Sequence, residues 1–291
     1  MIWLLLSILF SSGIFLIFKM FDSWSIRTFP AIVTNYGTAM ALGAVVVLRQ
    51  MSPAEVFEQS YSFPLLGIGM VFIGIFYLMA VTAQKLGVSV SSVAAKMALA
   101  MPVIVFPLLD STESFGVLHI VGLLCALLGV WWASVKEDVH VSNRKLLLLP
   151  VLVFVGSGII DCVLGFYSRS VDSPLAPFLM TTLPFTAAFA VGLVVSVGNA
   201  LKSGQWIKLR ELIGGFLLGI INFGSIYFLV RAVAEAPFSR TFIFPVNNMG
   251  IILLSALASF ILFKEFFSVR NRLGVGLCVV AILLFYFGET L

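Results

Sequence analysis

Long apolar segments separated by short polar connections constrain this chain more than any other feature. About 20 residues of α-helix cross the roughly 30 Å hydrocarbon layer of a bilayer, and inside that layer every backbone N–H and C=O group must be hydrogen-bonded within the protein. The pattern therefore predicts an all-α, polytopic membrane protein with ten transmembrane helices. The predicted spans are approximately residues 2–18, 30–48, 64–83, 88–109, 117–134, 147–167, 176–197, 212–230, 238–262 and 273–288.

The composition agrees with this architecture. Hydrophobic residues make up 61% of the chain and charged residues 10%, whereas roughly 25% of an ordinary soluble domain is charged. The net charge of +4 comes from basic residues in short connections, which membrane orientation explains without a nucleic-acid partner. The apolar N-terminus predicts a retained first helix rather than a cleaved signal peptide. The cysteines lie inside predicted spans without metal or redox spacing, so no metal or cofactor is expected.

An internal repeat gives the predicted spans an order. Residues 113–122 and 265–274 share a glutamate, a phenylalanine, a valine and a glycine in one register, at an offset of 152 residues. Each copy would contain five spans, and an odd number makes the second copy enter the membrane from the opposite side. Such inverted repeats are typical of secondary transporters. The predicted repeats are residues 1–140 and 141–291 of one integral membrane domain.

The two five-helix halves resemble the EamA-like branch of the drug/metabolite transporter superfamily, over essentially the whole chain. The ten-span pattern carries most of the resemblance, and two loosely spaced motifs accompany it: Pro102, Glu113 and Gly122 in the first half, and Pro245, Glu265 and Gly274 in the second. The resemblance implies a ten-helix bundle with a central cavity that moves small metabolites by alternating access. The chain departs from the family pattern at Asp110, where DSTE replaces a glycine–glutamate pair, and in having a lysine in mid-span.

That lysine, Lys96, lies near the middle of the fourth span. A bare ammonium inside hydrocarbon costs several kcal/mol, so it requires a partner or a wet cavity. Ser89 and Ser92 share its helix face, and Asp161 in the sixth span is the candidate counter-ion. A Lys96–Asp161 pair would join the two halves, and a substrate that separated them could change their protonation. This predicts a coupling switch, with a purely structural ion pair as the alternative.

Asparagines supply the other predicted site residues. At the 152-residue offset Lys96 corresponds to Asn248, which follows Asn247 in the ninth span, while Asn35 and Asn222 lie in the second and eighth. Asparagines also hold membrane helices together, which is the alternative for each of them. The predicted substrate-binding residues are Lys96, Ser92, Asn35, Asn222, Asn247 and Asn248.

The predicted function is secondary transport of a small organic solute with a carboxylate, such as an amino acid. No GxxxxGK[ST] motif is present, so an ion gradient would supply the energy. An intramembrane enzyme would need clustered acids or histidines near the interface, whereas the two histidines, His119 and His140, are expected to be solvated. Arg231 and Arg240 are expected to be surface anchors. A non-transporting membrane subunit is the third class.

The expected partners are the solute and the lipid bilayer, and no nucleic-acid partner is expected. The expected location is the inner membrane. A monomer is expected, with a homodimer as the alternative. Lysine and arginine favour the odd-numbered connections by twelve to four, and the positive-inside rule then puts both termini outside. The resemblance implies termini inside, so the orientation stays open between these two expectations.

Overall fold

The computed structural model describes residues 1–86, 88–113, 115–134, 144–171, 173–263 and 268–290. The side chains of Ser89 and Ser92 are outside the described part of the structure, so the predicted binding role of Ser92 stays a prediction. Glu265 of the repeat motif is also outside the described residues. The helices are α1 (Ile2–Ser23), α2 (Thr28–Val47), α3 (Pro53–Glu58), α4 (Ser62–Leu86), α5 (Val88–Met97), α6 (Ala100–Leu109), α7 (Val117–Ser134), α8 (Leu148–Ser170), α9 (Ala176–Ser203), α10 (Leu209–Glu235), α11 (Arg240–Phe263) and α12 (Val269–Thr290).

The described chain is helical, as predicted, and contains no strand. Seven of its helices are long and apolar enough to cross a membrane: Thr28–Val47, Ser62–Met79, Leu148–Ser170, Ala176–Ser203, Leu209–Glu235, Arg240–Ala258 and Val269–Thr290. Three shorter apolar helices cover the other predicted spans: Ile2–Phe18, Val93–Leu109 and Val117–Ala133. The class of helical membrane protein is therefore confirmed.

The fourth predicted span is interrupted in its middle, which the sequence analysis did not predict. Pro102 has no N–H to donate, and its ring conflicts with the carbonyl of Ala98, four residues earlier. The N–H groups of Leu99 and Met101 bond instead to carbonyls three residues earlier, on Lys96 and Ala98, at 3.3 and 2.9 Å. The helix therefore ends directly after Lys96 and restarts as α6.

A short helix, α3, lies in a connection where no element was predicted. The Ser52 hydroxyl accepts a hydrogen bond from the Glu55 N–H at 3.3 Å, and the Glu55 carboxylate accepts one from the Ser52 N–H at 2.6 Å. Pro53 occupies the first turn, where its missing N–H costs nothing. This capping box follows from the Ser-x-x-Glu spacing, so the sequence contained the information needed to predict the helix.

The described chain forms two compact units. Unit 1 consists of Met1–Ile73 and Phe166–Ala234, and unit 2 of Gly74–Gly165 and Glu235–Leu291. Each unit contains segments from both predicted repeats. In unit 1, α2 packs against α9, and in unit 2, α7 packs against α12 and α6 against α11.

Glycines permit the close helix crossings in both units. A Cβ on Gly43 of α2 would collide with Thr182 of α9, and one on Gly192 of α9 would press on Val33 of α2. In unit 2, a Cβ on Gly274 of α12 would overlap the backbone of α7. Small residues at helix interfaces let backbones approach within van der Waals contact, which is a main source of helix association in membranes.

Candidate functional site

The candidate site is centred on the Lys96 ammonium, at the end of α5 in unit 2. Its Nζ donates a hydrogen bond to Oδ1 of Asn248 on α11 at 3.3 Å. The Asn248 Nδ2 in turn donates to the carbonyl of Phe244, one turn earlier, at 3.2 Å. Two residues that the sequence analysis selected for different reasons, a charge in mid-span and its counterpart in the repeat, are therefore in contact.

Asp161 completes this cluster from α8. Its carboxylate interacts electrostatically with Lys96 and is hydrogen-bonded to the Asn248 side chain. Lys96, Asp161 and Asn248 therefore lie together in unit 2, and the predicted role of the Lys96–Asp161 pair as a coupling switch stays a prediction. A carboxamide can contact both charged groups because its oxygen accepts from an ammonium while its nitrogen donates to a carboxylate.

The cluster is deep in unit 2 but incompletely buried. Lys96 and Asp161 each keep part of their surface accessible, whereas Asn247 and Asn248 are buried. Directly beside the lysine, Ala98 and Leu99 are fully buried. An ionised group inside an apolar protein is tolerated when water or a partner reaches it. The two charged groups therefore keep accessible surface beside a buried amide.

Asn35 and Asn222 are brought together in unit 1. The Asn222 Nδ2 donates to Asn35 Oδ1 at 3.1 Å, and both side chains are buried. Next to them along α10, Ser225 bonds to α1 through Ser7 and Ser11, at 3.1 and 2.5 Å. These contacts join helices by neutral hydrogen bonds. The substrate-binding role predicted for Asn35 and Asn222 stays a prediction.

A buried ion-pair cluster in unit 2 was missed from the sequence. The Arg240 Nε donates to Glu113 Oε1 at 2.6 Å, and Nη2 donates to Asp110 Oδ2 at 2.5 Å. The other oxygen of Glu113 accepts from the N–H and hydroxyl of Thr241 at 3.0 and 2.9 Å. Arg240 is buried, so the expectation of a surface anchor was wrong.

The Glu113 carboxylate is held ionised by these donors. Burial alone would raise its pKa, but the hydrogen bonds from Thr241 and Arg240 and the charge of Arg240 outweigh that effect and lower it. Because Glu113 lies in the connection after α6 and Arg240 begins α11, the contact holds that connection against the start of α11. No local spacing rule relates two residues 127 positions apart.

His119 was expected to be solvated, and this was also wrong. The side chain is buried, with its Nδ1 accepting from the Gly116 N–H at 3.3 Å and its Nε2 4.0 Å from the Glu289 carboxylate. The same carboxylate accepts from the Ser239 N–H at 2.5 Å and hydroxyl at 2.6 Å. His119 lies where α7 and α12 meet, so tertiary packing covers it. His140 lies outside the described residues.

Arg231 contacts aromatic side chains, and the cysteines are free thiols. The Arg231 guanidinium lies 4.3 Å from the centre of the Trp3 ring, a cation–π contact, and donates to the Tyr227 hydroxyl at 3.3 Å. The cysteines are unpaired thiols within helices, half-buried or buried. Among the described residues, no group of three or more histidine, cysteine or acidic side chains could hold a metal ion.

Comparisons with known proteins support a shared fold. No protein-family model matches the sequence. An uncharacterized protein of Haemophilus influenzae is 26% identical over 291 residues, which cover 98% of this chain and 97% of that protein. A protein of known crystal structure superposes with a TM-score of 0.77 at 15% sequence identity, covering 97% of this chain and 94% of the other. At that identity the likeness is evidence of the fold alone.

Proposed function

We propose that this protein is a secondary-active transporter that moves a small carboxylated solute, of the amino-acid type, by alternating access across the inner membrane. The observation that carries the proposal is the cluster of Lys96, Asp161 and Asn248 beside an interrupted helix. Ionisable residues within membrane helices are costly and are found along solute and proton pathways. Discontinuous helices near the bilayer midplane are a common way for transporters to form a binding site.

Reciprocal contacts between α7 and α12 support an inverted repeat. Gly122 packs on Leu284, and Gly274 packs on Trp132. An offset of 152 residues converts Gly122 into Gly274 and Trp132 into Leu284, so exchanging the two helices reproduces the contact. Such self-complementary contacts are those made about a two-fold axis. Residue numbers increase in opposite directions along α7 and α12, so the two helices are antiparallel. A two-fold axis that exchanges them is perpendicular to both helices and would lie in the membrane plane.

Unit 1 supports the same conclusion independently. Gly43 packs on Thr182, and Gly192 packs on Val33, which is again one contact repeated with the two helices exchanged. Here an offset of 149 residues converts Gly43 into Gly192 and Val33 into Thr182. The offset differs from that in unit 2 by three residues, a change that an insertion in one loop would produce. The contact between Lys96 and Asn248 also joins residues 152 positions apart, as expected near such an axis.

We therefore assign ten transmembrane helices in two five-helix repeats, residues 1–140 and 141–291, and place the protein with the EamA-like drug/metabolite transporters. The reciprocal contacts support this, as does the resemblance of the two spaced motifs. In this mechanism a solute carboxylate binds the Lys96 ammonium in competition with Asp161. The bound solute replaces Asp161 as the partner of the Lys96 ammonium and leaves the Asp161 carboxylate without its counter-ion, so solute binding is linked to proton binding.

Thermal unfolding of the purified protein with a panel of amino acids and other carboxylates tests the proposal. A solute that binds the folded state raises the unfolding temperature as its concentration rises. A solute found in this way is then tested for flux in proteoliposomes. We expect Lys96→Met to lose both effects and Lys85→Met, at an exposed lysine ending α4, to keep both. Binding without flux, or unchanged flux and pH dependence in Lys96→Met and Asp161→Asn, would contradict the proposal.

A further inference from the structure

One end of unit 1 presents exposed positive charge. Lys202 ends α9, and Lys208 and Arg210 flank the start of α10; all three are exposed. The acid of this segment, Glu211, is fully buried and paired with Arg27, whose Nε lies 2.5 Å from its Oε1. Residues 201–211 therefore display three cations and no exposed carboxylate.

Exposed apolar side chains lie among these cations. Trp206, Leu201 and Leu209 are each more than half exposed. Tryptophan is enriched where a membrane meets water, because its ring is apolar and its N–H can bond to headgroups. We name this surface the hairpin rim and define it by Lys202, Trp206, Lys208 and Arg210. Its mixture of indole and basic groups fits a layer of anionic headgroups better than it fits free solvent.

The connection that carries the hairpin rim is held in one conformation. Arg27 donates from Nη1 to the Gln205 side chain at 3.0 Å and from Nη2 to the Trp206 carbonyl at 2.7 Å. The Glu211 carboxylate accepts from the Lys208 N–H at 2.8 Å. Gly204 ends α9 with a φ of 69°, a left-handed conformation that glycine adopts without strain. A preformed surface loses little conformational entropy when it binds.

The opposite end of unit 1 differs in charge. Around α3, exposed Arg49 is accompanied by exposed Glu55 and Glu58. Mixed charges of this kind give little net attraction to an anionic surface. Of these two described segments, only residues 201–211 are uniformly basic at their exposed surface, and there the charge coincides with the exposed indole.

We infer that the hairpin rim is a docking surface for anionic phospholipid headgroups. Basic side chains near an anionic leaflet are attracted to it within about a Debye length. The indole of Trp206 would lie at headgroup level, with the three cations beside the phosphates. The inference does not depend on what the protein transports, because none of these residues belongs to the Lys96 cluster.

Lipid titration of the full-length protein tests this inference. Purified protein in neutral micelles is titrated with phosphatidylglycerol or phosphatidylcholine, and bound lipid is measured by native mass spectrometry together with the unfolding temperature. We expect phosphatidylglycerol to bind preferentially and to raise the unfolding temperature. The triple variant K202Q/K208Q/R210Q should lose on the order of a hundredfold in phosphatidylglycerol affinity, equivalent to about 1 kcal/mol per cation.

Single substitutions provide matched controls. Arg210→Gln should weaken phosphatidylglycerol binding, whereas Arg49→Gln, the same change at the other end of unit 1, should not. Unfolding temperatures in pure phosphatidylcholine should be equal for all variants, which separates lost lipid binding from misfolding. The inference is overturned if both lipids bind equally, if the triple variant binds like wild type, or if soluble glycerol phosphate or polyglutamate protects the protein as well as the lipid does.

Discussion

The two units accommodate polar side chains in their apolar interiors in different ways. In unit 1, Asn35 and Asn222 bond to each other and both are buried. In unit 2, Lys96 and Asp161 are ionisable, contact the same amide and keep accessible surface. In the neutral pair the Asn222 Nδ2 and the Asn35 Oδ1 satisfy each other, while the buried Asn35 Nδ2 has no partner among the described residues; the charge pair of unit 2 keeps accessible surface. Under the proposed function, unit 2 would carry the solute-binding charges and the asparagine pair of unit 1 would mainly join helices.

The two buried acids that pair with arginine show a second contrast. Arg27 is 32% exposed where it meets Glu211, whereas Arg240 is only 5% exposed where it meets Glu113. Water and salt can therefore reach the first pair and weaken it. The pair in unit 2 is buried, so after Glu113 is removed water cannot easily replace it beside Arg240, which among the described residues keeps only its hydrogen bond to Asp110 at Nη2. Substitutions in the two units should consequently have effects of different size.

The largest effect is expected from breaking the charge pair of unit 2. Lys96→Met and Asp161→Asn should each lower the free energy of unfolding by about 4 kcal/mol, because each leaves a partly buried charge without its counter-ion inside an apolar helix bundle. The double variant removes both charges and should recover most of that loss. Transport should be lost in all three. Denaturant unfolding in mixed micelles, analysed as a double-mutant cycle, measures the coupling.

The same cycle supplies the test of the interpretation. If the two single losses simply add in the double variant, Lys96 and Asp161 do not depend on each other, and the charge pair is not the defining feature of unit 2. Lys85→Met serves as the control, because it removes an exposed ammonium and should change stability by less than about 0.5 kcal/mol.

A slightly smaller loss is expected for Glu113→Gln. The substitution keeps the shape of the side chain but removes the charge that faces Arg240, and we expect a cost of about 3 kcal/mol. High salt should change this cost little, because the pair is buried. An equal salt dependence for Glu113→Gln and for Arg27→Gln, at the partly exposed arginine of unit 1, would remove the contrast between the two pairs.

Glu113 also predicts the behaviour of the protein in acid. Its pKa is lower in the folded protein than the ordinary value of 4.5, so its stabilisation is complete above that value and is lost as the pH falls through the folded pKa. The unfolding temperature should therefore drop on acidification. In Glu113→Gln the drop should be smaller. Unfolding curves recorded between about pH 3 and 7 compare the two proteins.

The sequence predicted the helices well because each is a local pattern of apolar residues. It also selected Lys96, Asp161 and Asn248, which lie together in unit 2, since charged side chains deep in apolar segments need partners. It did not predict the buried positions of Arg240 and His119. Both lie near helix ends, where local sequence indicates exposure, and both are covered by segments distant in the chain. Contacts of that kind are set by the fold and leave no periodic pattern.

The break after Lys96 is an intermediate case. Pro102 indicates a weakened helix ladder, but whether a membrane helix bends or ends at a proline depends on the neighbours that bond to the freed groups. Here the turn is closed by bonds between residues three positions apart. The proline was visible in the sequence, but the position of the break was not.

A moderate effect is expected at the glycines of the α7–α12 crossing in unit 2. A methyl group on Gly274 would overlap the backbone of α7, whereas one on Gly122 would meet only ordinary van der Waals contacts at 3.4 Å. Gly274→Ala should therefore cost about 2 kcal/mol through overpacking, and Gly122→Ala less than about 0.5 kcal/mol. Equal costs at the two sites would mean that the helices separate to accept either methyl group.

The smallest effect is expected for the neutral pair of unit 1, and it tests the opening contrast most directly. Asn35→Ala and Asn222→Ala, combined in a double-mutant cycle, should give a coupling of about 0.6 to 1.7 kcal/mol, the range measured for hydrogen bonds between membrane helices. Because no charge is involved, the coupling should not vary with pH, and solute-induced stabilisation should survive both substitutions. Loss of that stabilisation in Asn222→Ala would make the asparagine pair part of the solute path and would contradict its assignment to helix association alone.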